Sequence, residues 1–292
     1  MKLLDGKLAA QAVKEELKLQ VAQRVAEGKK VPHLAAILIG NNGASATYVA
    51  AKVKACEETG FKSTLFRFDA TLSEQALLEK IDALNSDPDI DGILVQLPLP
   101  PQIKEERIII AIDPNKDVDG FHPVNLGRMM QGQPGYIPAT PYGIMLLLRH
   151  YNIDTTGKHA VVIGRSNIVG RPLSILLSGN TAPGNCTVTL CHSKTTQLAK
   201  YCQQADIIVA ALGKVKFLTS DMVKEGAIVV DVGITRVEDS SKKAGFRLEG
   251  DVDFENVSPK CNWITPVPGG VGPMTIAALL KNTFQACVSN ND

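Results

Sequence analysis

The residues best suited to chemistry in the first half of this sequence are Tyr48 and Lys52. They stand four positions apart in a segment that predicts a helix, so their side chains share one face with Cβ atoms about 5 to 6 Å apart. Small apolar residues flank the lysine, and an apolar setting disfavours the ammonium, which would make Lys52 a general acid or base near neutral pH. The alternative is a solvent-exposed lysine whose stem is covered by the tyrosine ring.

Two further polar residues follow a predicted buried strand. Gln96 ends that strand, where side chains at the carboxyl edge of a parallel sheet tend to face a ligand; its alternative role is to cap a loop. Asp119 lies in a segment that opens like a calcium loop, but the twelfth position is Leu126 where a bidentate Glu is required. We therefore reject calcium and expect the Asp119 carboxylate to accept N–H groups of a heterocycle.

A turn with two glycines, Gly164 and Gly170, joins a predicted apolar strand to a helix. Gly164 permits the tight turn and Gly170 permits close packing of helix on strand, so backbone N–H groups at the helix start would be free to hold a phosphate. The spacing is Gly-x-Ser-x-x-x-Gly and departs from the dinucleotide pattern Gly-x-Gly-x-x-Gly. An ordinary strand-to-helix turn therefore stays open as the alternative.

The residues after the next predicted strand favour NADP over NAD. An NAD-binding chain offers Asp or Glu to the ribose about 20 residues after such a turn, whereas this strand ends at Cys191 and is followed by a histidine, Ser193 and Lys194. Hydroxyl and basic groups at Ser193 and Lys194, together with Arg165 in the glycine turn, can hold a 2′-phosphate. The alternative is that Ser193 and its neighbours cap a helix.

Near the carboxyl terminus, residues 265–275 contain three prolines and three glycines, among them Pro268, Gly269 and Gly270. Such a segment holds backbone rigidly where side chains would obstruct something. A ligand could lie against it, and a stiff interdomain linker is the equal alternative.

Around these residues the apolar patterning alternates between strands and helices, which predicts parallel sheets. In the first half we predict strands at 34–39, 63–68 and 92–96 and helices at 8–26, 44–59, 73–85, 105–112 and 142–151, with a long irregular stretch at 113–141. In the second half we predict strands at 159–164, 187–191, 206–211 and 227–232, helices at 172–177, 195–204, 220–224 and 275–288, and a surface turn or hairpin at 237–249.

Composition narrows the class of partner. The 292 residues carry 31 basic and 30 acidic side chains without a basic cluster, so nucleic acid is not an expected partner and a small molecule is. No apolar run approaches a membrane span, and the six cysteines lack Cys-x-x-Cys spacing, so we expect a soluble cytoplasmic protein. The five histidines show no metal-ligand spacing and no Gly-x-Ser-x-Gly elbow is present, so neither a metal nor a serine hydrolase is predicted.

Five ordered motifs together resemble the bifunctional methylenetetrahydrofolate dehydrogenase/methenyltetrahydrofolate cyclohydrolase family. They are Tyr48-x-x-x-Lys52, Val95-Gln96-Leu97-Pro98, Lys116-Asp117-Val118-Asp119-Gly120, Gly164-Arg165-Ser166 through Gly170-Arg171-Pro172, and Pro266 to Pro273. The resemblance runs nearly end to end and favours the functional interpretation of Lys52 and of Pro268-Gly269-Gly270.

The resemblance implies a fold, an activity and a set of site residues. The fold would be α/β with two domains and a cleft between them: residues 1–146 plus 272–292 as the folate-binding catalytic domain, and residues 147–271 as a Rossmann-like NADP-binding domain. The activity would be NADP-dependent oxidation of 5,10-methylenetetrahydrofolate to 5,10-methenyltetrahydrofolate and then hydrolysis to 10-formyltetrahydrofolate, by a chain that is usually a homodimer.

In that family interpretation Lys52 assists hydrolysis, Tyr48 and Gln96 orient and tune it, and Asp119 binds the pterin. The cofactor residues would be Gly164, Arg165, Ser166, Gly170, Ser193 and Lys194; Lys194 stands where the family often has arginine. Substrate would contact Tyr48, Lys52, Gln96, Asp119, Pro268, Gly269 and Gly270. The alternatives are a dehydrogenase with little cyclohydrolase activity, a related NADP dehydrogenase acting on a hydroxy acid, and a non-catalytic module that binds NADP or folate.

Overall fold

The computed structural model describes residues 1–242 and 245–291, and these residues form two compact units. The Lys52 unit consists of residues 11–139 and the chain from Ile276 onward, and the glycine-turn unit consists of Met1–Ala10 and Thr140–Thr275. Three segments that the sequence assigns to the folate domain, residues 1–10, 140–146 and 272–275, belong to the glycine-turn unit. For the first of them, the reason is that Lys2 and Leu3 pair with Trp263 and Ile264. The last residue of the predicted domain, Asp292, lies outside the described residues.

In chain order, the strands of the described residues are β1 (Lys2–Leu3), β2 (His33–Ile39), β3 (Lys62–Phe68), β4 (Gly92–Val95), β5 (His159–Ile163), β6 (Thr187–Cys191), β7 (Ile207–Ala210), β8 (Ala227–Asp231), β9 (Thr235–Glu238), β10 (Phe246–Glu249) and β11 (Cys261–Ile264). The α-helices are α1 (Gly6–Ala26), α2 (Gly43–Thr59), α3 (Glu74–Asn85), α4 (Glu105–Ala111), α5 (Pro123–Met130), α6 (Ala139–His150), α7 (Gly170–Ser178), α8 (Leu198–Gln204), α9 (Phe254–Val257) and α10 (Val271–Asn291).

The Lys52 unit is built on a three-stranded parallel sheet in the order β3-β2-β4. Every residue of β2 is buried, as expected for a central strand covered on both faces. The apolar face of α3, which includes Leu77, Ile81 and Leu84, packs in the same core as β2 and β4. This core holds the carboxyl ends of β2 and β4 in fixed register, with Ile37 opposite Val95.

The glycine-turn unit is built on a six-stranded parallel sheet in the order β1-β11-β8-β7-β5-β6. From β5 the chain moves first to β6 on one side and then to β7 on the other, so the strand order reverses at β5. In open α/β sheets, ligands bind outside the carboxyl ends of the strands at such a switch point. Gly164 is the first residue after β5, so the predicted nucleotide turn lies at this point.

Most predicted elements are confirmed, within a few residues at their ends. The predicted irregular stretch 113–141 is wrong in part, since α5 lies inside it, and His122 caps this helix by accepting the Val124 N–H at 3.1 Å. The helix has only eight residues, one of them a glycine, and such a short segment among glycines and prolines is typical of a loop. The short strands β1 and β11 and the short helix α9 were not predicted. The predicted helix 220–224 is a 3₁₀ turn at Ser220–Met222.

The predicted hairpin at 237–249 is present as the antiparallel pair β9 and β10, and its residues 243 and 244 lie outside the described part of the chain. Within the described residues, no helix combines the length and apolar character that a membrane crossing requires. All six cysteines are buried and unpaired.

Candidate active site

Helix α2 places Tyr48 and Lys52 at different depths. The helix begins where the Asn42 side chain accepts the N–H groups of Ala44 and Ser45, and it ends at Gly60, whose φ of +79° is the left-handed cap that glycine favours. Lys52 is 8% exposed, whereas Tyr48 is 39% exposed. The alternative of a solvent-exposed lysine is therefore wrong.

Gln96 is the hydrogen-bond partner of Lys52. Its backbone N–H donates to the Ile37 carbonyl at 2.9 Å, so it continues the ladder between β4 and β2. Its side-chain Oε1 accepts from Lys52 Nζ at 3.1 Å, and its Nε2 donates to the Leu97 carbonyl at 2.8 Å. The two side-chain bonds fix which end of the amide faces the lysine, so the oxygen of Gln96 is held toward Nζ.

Asp119 is held by the backbone on both sides of it. Val118 packs over Gly92, where an added Cβ would lie 2.6 Å from the valine Cγ1. Gly120 has a φ of +74°, and a Cβ there would lie 2.6 Å from the carbonyl carbon of Ile137. Both glycines thus allow the segment with Asp119 to lie directly against its neighbours.

The same segment is anchored by hydrogen bonds. Asn282 of α10 donates to the carbonyls of Val118 and Ile137 at 2.8 and 2.9 Å. The buried Asp117 carboxylate accepts the His122 N–H at 2.8 Å and the Asn125 side-chain N–H at 2.9 Å. Asp117 therefore closes the loop that carries Asp119, a role that the sequence motif did not reveal.

Burial sets the electrostatics of the site. Burial lowers the pKa of Lys52 below its ordinary value of 10.5, and the Asp119 carboxylate opposes that shift. Burial also raises the pKa of Asp119 above its ordinary value of 3.8, and the Lys52 charge opposes that shift. The charge of each group therefore favours the ionised form of the other.

A mainly apolar pocket lies beside Asp119. Its wall residues are Ile93, Val95, Leu97, Ile108, Ile109, Ile112 and Phe121, with Asp117 and Asp119 as the acidic members. The pocket encloses about 10 Å³, room for about one water molecule, so it sets the Asp119 carboxylate among apolar side chains and does not itself hold a heterocycle.

In the glycine-turn unit, Gly164 and Gly170 stand where no side chain fits. Gly164 has a φ of +122°, and an added Cβ would lie 2.1 Å from the Ala211 carbonyl oxygen. A Cβ on Gly170 would lie 1.9 Å from the Gly164 carbonyl oxygen. Both glycines are therefore required for the turn itself, as the sequence predicts.

Ser166 organises the start of α7. Its Oγ accepts the N–H groups of Val169 at 3.2 Å and Gly170 at 3.4 Å, and its carbonyl accepts the Arg171 N–H at 3.1 Å. The expectation of free N–H groups is therefore not met at these three positions, because the serine supplies the acceptors. The side chains of Arg165 and Ser166 are exposed at the tip of the turn.

Ser193 and Lys194 lie on a tight turn that follows β6. Thr195 Oγ accepts the His192 N–H at 2.9 Å, and His192 Nδ1 accepts the Lys194 N–H at 3.1 Å. Helix α8 begins only at Leu198, so the alternative of a helix cap at Ser193 is wrong. Since the Gly164 N–H donates to the Cys191 carbonyl at 2.9 Å, the two exposed turns leave adjacent strands at one edge of the sheet.

The Pro268-Gly269-Gly270 segment belongs to the glycine-turn unit. Gly269 has a φ of +111°, and its carbonyl accepts the Lys7 N–H at 3.2 Å. Gly6 of α1 approaches so closely that its Cβ would lie 1.7 Å from the Gly270 carbonyl oxygen. The segment is therefore packed against the first turn of α1, and this contact requires Gly6. Gly269 is required by its positive φ, and Gly270 because a Cβ there would lie 2.6 Å from the Pro266 carbonyl oxygen.

Sequence patterning missed two buried carboxylates of this unit, Asp231 and Asp251. Asp231 ends the apolar strand β8 and Asp251 follows Gly250 after the charged strand β10, and neither setting singles out a carboxylate. Among the described residues, no group of three or more His, Cys, Asp or Glu is arranged to hold a metal ion.

Comparison with known proteins gives matches over nearly the whole chain. The sequence model described as tetrahydrofolate dehydrogenase/cyclohydrolase, catalytic domain, matches residues 4–119. The model described as tetrahydrofolate dehydrogenase/cyclohydrolase, NAD(P)-binding domain, matches residues 138–291. A relative from Cytophaga hutchinsonii, named Bifunctional protein FolD, is 60% identical over 98% of this chain and 99% of its own.

Solved structures agree with the sequence matches. The bifunctional enzyme FolD, methylenetetrahydrofolate dehydrogenase/cyclohydrolase, from Campylobacter jejuni is 50% identical, covers 99% of both chains and superposes with a TM-score of 0.92. The methylenetetrahydrofolate dehydrogenase-cyclohydrolase of Trypanosoma brucei, complexed with NADP cofactor and inhibitor, is 38% identical, covers 98% of this chain and 96% of its own, and has a TM-score of 0.92.

Proposed function

The chain belongs to the tetrahydrofolate dehydrogenase/cyclohydrolase family, and we propose that Lys52, with Gln96, Asp119 and Tyr48, carries the substrate chemistry of its two reactions. The chain is a bifunctional enzyme. It oxidises 5,10-methylenetetrahydrofolate to 5,10-methenyltetrahydrofolate with NADP, and it hydrolyses the methenyl product to 10-formyltetrahydrofolate. In this proposal the Lys52 unit binds folate and the glycine-turn unit binds NADP.

The residues of the glycine-turn unit fit NADP. Gly164 and Gly170 form the tight turn at the switch point, because a Cβ on either would meet a backbone carbonyl oxygen, and such a glycine turn between strand and helix is where a pyrophosphate approaches backbone. Arg165, Ser193 and Lys194 are exposed on two turns at the same sheet edge, where they can hold a 2′-phosphate. Ser166 would bond the phosphate by donating its hydroxyl proton while its Oγ accepts the Val169 and Gly170 N–H groups.

The oxidation requires positioning more than proton transfer. Bound NADP supplies the acceptor for a hydride, which leaves the bridge carbon together with its electron pair. The folate must therefore be held in one orientation, a task that we assign to the Asp119 carboxylate through N–H groups of the pterin and to Tyr48 and the Pro268-Gly269-Gly270 backbone along its length. No side chain has to remove a proton in this step.

Hydrolysis does require proton transfer, and Lys52 is placed to perform it. In its neutral form Nζ takes a proton from water as the water oxygen bonds to the methenyl carbon. The resulting ammonium then returns that proton to the ring nitrogen as the carbon–nitrogen bond breaks. The hydroxyl proton passes to the Nζ so freed and on to solvent as the C=O bond forms, which leaves the formyl group on the other nitrogen. A positioned acid or base of this kind typically accelerates a reaction by about 10² to 10⁴-fold.

The observation that carries this proposal is the hydrogen bond of 3.1 Å from the buried Lys52 Nζ to Gln96 Oε1. Burial favours the neutral amine, which is the form that a base requires. The hydrogen bond to Gln96 fixes the orientation of Nζ and so of its lone pair. Purified protein mixed with 5,10-methylenetetrahydrofolate and NADP should form NADPH, and the methenyl absorbance should then decay faster than in buffer. NADPH formation without faster decay would indicate a dehydrogenase alone.

We further propose that the chain works as a homodimer in the cytoplasm. Six buried, unpaired cysteines suit a reducing compartment. Strand β6 is at the edge of the six-stranded sheet, and an edge strand presents unpaired backbone N–H and C=O groups with which another chain can pair. Light scattering should give a mass of twice the 31.3 kDa of the chain, and a mass of one chain would contradict the dimer.

A further inference from the structure

Asp251 holds a loop at the carboxyl edge of the six-stranded sheet. Its Oδ2 accepts the N–H groups of Leu212 and Gly213 at 2.6 and 2.9 Å, and its Oδ1 accepts the Lys214 N–H at 2.8 Å. The Asp251 side chain is fully buried. One carboxylate therefore satisfies three consecutive N–H groups of residues 212–214, which we call the β7 loop because it follows β7.

The β7 loop adjoins the glycine turn. Ala211, the residue before the loop, donates its N–H to the Ile163 carbonyl at 2.9 Å. Its carbonyl oxygen occupies the space beside Gly164 where a Cβ would lie at 2.1 Å. Since β5 and β7 are neighbouring strands at the switch point, the β7 loop forms the wall of the dinucleotide site beside the turn.

A second carboxylate, Asp231, holds Asp251 in place. Asp231 ends β8, and it accepts the N–H groups of Asp251 and Val252 at 2.9 and 3.0 Å and that of Gly233 at 3.0 Å. A Cβ on Gly233 would lie 2.3 Å from Asp251 Oδ1, and one on Gly250 would lie 1.9 Å from Asp231 Oδ2. The two carboxylates therefore lie directly against Gly233 and Gly250, where any side chain would clash with them.

We propose that Asp251, supported by Asp231, is a positioning residue for NADP, because it holds the β7 loop in the one conformation that forms the cofactor wall. The inference rests on the proposed placement of NADP at this edge of the sheet. If the inference holds, loosening the β7 loop lowers the affinity for NADP. Hydrolysis at Lys52 is unaffected, because it uses no hydride acceptor.

The first test replaces Asp251 by Asn, which keeps the volume and leaves one acceptor oxygen for three N–H groups. We expect the KM for NADP and the Kd for NADPH to rise roughly tenfold or more, since charge-assisted bonds are lost. Cyclohydrolase activity, assayed from the methenyl substrate without cofactor, should stay within about twofold of wild type. An equal loss of both activities, or unchanged NADP binding, overturns the inference.

The matched control is Asp206→Asn. Asp206 is in the same unit and accepts a backbone N–H, that of His159 at 2.8 Å, but at the amino edge of the sheet. This variant should leave NADP binding unchanged. If Asp206→Asn weakens NADP binding as much as Asp251→Asn does, the effect comes from general destabilisation and the inference fails.

A second pair of variants disturbs the loop without touching the carboxylate. Gly213 has a φ of +68° and nothing within 4 Å of an added Cβ, so Gly213→Ala strains only the backbone of the β7 loop. Gly157, with a φ of +70° and equally open surroundings, gives the control Gly157→Ala before β5. Gly213→Ala should weaken NADP binding, and Gly157→Ala should leave it unchanged. The reverse result contradicts the inference even if Asp251→Asn fails to fold.

The test also separates this inference from the placement of the cofactor. If Arg165→Ala weakens NADP binding while Asp251→Asn and Gly213→Ala leave it unchanged, the placement stands and the role of Asp251 is wrong. If none of the three variants affects NADP binding, the placement itself is wrong.

Discussion

Lys52 Nζ donates a hydrogen bond of 3.1 Å to Gln96 Oε1, and Gln96 Nε2 donates to the Leu97 carbonyl at 2.8 Å. The relationship joins the middle of α2 to the end of β4. It gives the buried lysine a neutral partner, so the Asp119 carboxylate is the charge that tunes it.

Replacing Lys52 by Met should lower the cyclohydrolase rate roughly 10² to 10⁴-fold, because methionine fills the volume without a titratable group. NADP binding should be unchanged, since the cofactor is assigned to the other unit. The two measurements are methenyl decay and NADPH titration by fluorescence.

The matched control is Lys54→Met, on the same helix, whose side chain is 75% exposed. It should be fully active in both assays. Full cyclohydrolase activity in Lys52→Met would sink the assignment of the base.

Replacing Asp119 by Asn should move the acid limb of the cyclohydrolase kcat profile to lower pH. The Asp119 carboxylate raises the pKa of Lys52 against the effect of burial, so its removal lowers that pKa further. The profile of kcat is the measurement, because KM also reports the pterin contact. A limb that stays in place would show that Lys52 is not the titrating group.

Replacing Gln96 by Glu should shift the same limb in the opposite direction. The new carboxylate would lie beside Nζ and favour the ammonium, so the limb should move to higher pH and the rate at neutral pH should fall about tenfold or more. Gln102→Glu is the control, since Gln102 bonds to the Ala70 and Leu72 carbonyls and is exposed. Shifts of equal sign in Gln96→Glu and Asp119→Asn would refute the electrostatic account.

The double variant Arg165→Ala with Lys194→Ala should weaken NADP roughly 100-fold and NAD only a few-fold, since charge-assisted contacts to a 2′-phosphate are absent in NAD. The ratio of kcat/KM for the two cofactors is the readout. Lys200→Ala, an exposed lysine on α8, should leave the ratio unchanged. Equal losses for NADP and NAD would rule out a 2′-phosphate role for the pair.

The stability of the glycine-turn unit should depend on the proton of Asp231. Burial raises the pKa of this carboxyl from 3.8 to about 7, so its stabilising contribution is complete below the unfolded pKa and is lost as pH rises through about 7. In wild type the free energy of unfolding should fall by the order of a few kcal/mol between about pH 4 and pH 7, and Tm should fall with it. Asp231→Asn should flatten this fall of Tm.

Asp206 provides a comparison of opposite sign. The Lys224 ammonium and the His159 N–H lower the pKa of Asp206, so its contribution is present above the unfolded pKa and is lost as pH falls. Asp206→Asn should therefore cost stability at neutral pH and not at low pH. The Asp231 interpretation fails if Tm of Asp231→Asn keeps the wild-type slope.

Much of this protein follows from the sequence by itself. The alternation of apolar strands and helices sets the two parallel sheets, because local periodicity is a direct record of which face is buried. The glycines at 164 and 170 identify the turn, since only glycine fits the backbone there. The motifs around Lys52, Gln96 and Asp119 identify the family, and the missing acid after β6 identifies NADP.

Only the tertiary structure decides the chemistry of individual groups. Residue type and spacing leave Lys52 as either an exposed or a buried lysine, and burial by elements distant in sequence makes it a group of lowered pKa beside Asp119. Patterning likewise gives no sign that Asp251 accepts three N–H groups almost 40 residues earlier in the chain. Such roles depend on side chains meeting across long loops, and neither periodicity nor local propensity records that meeting.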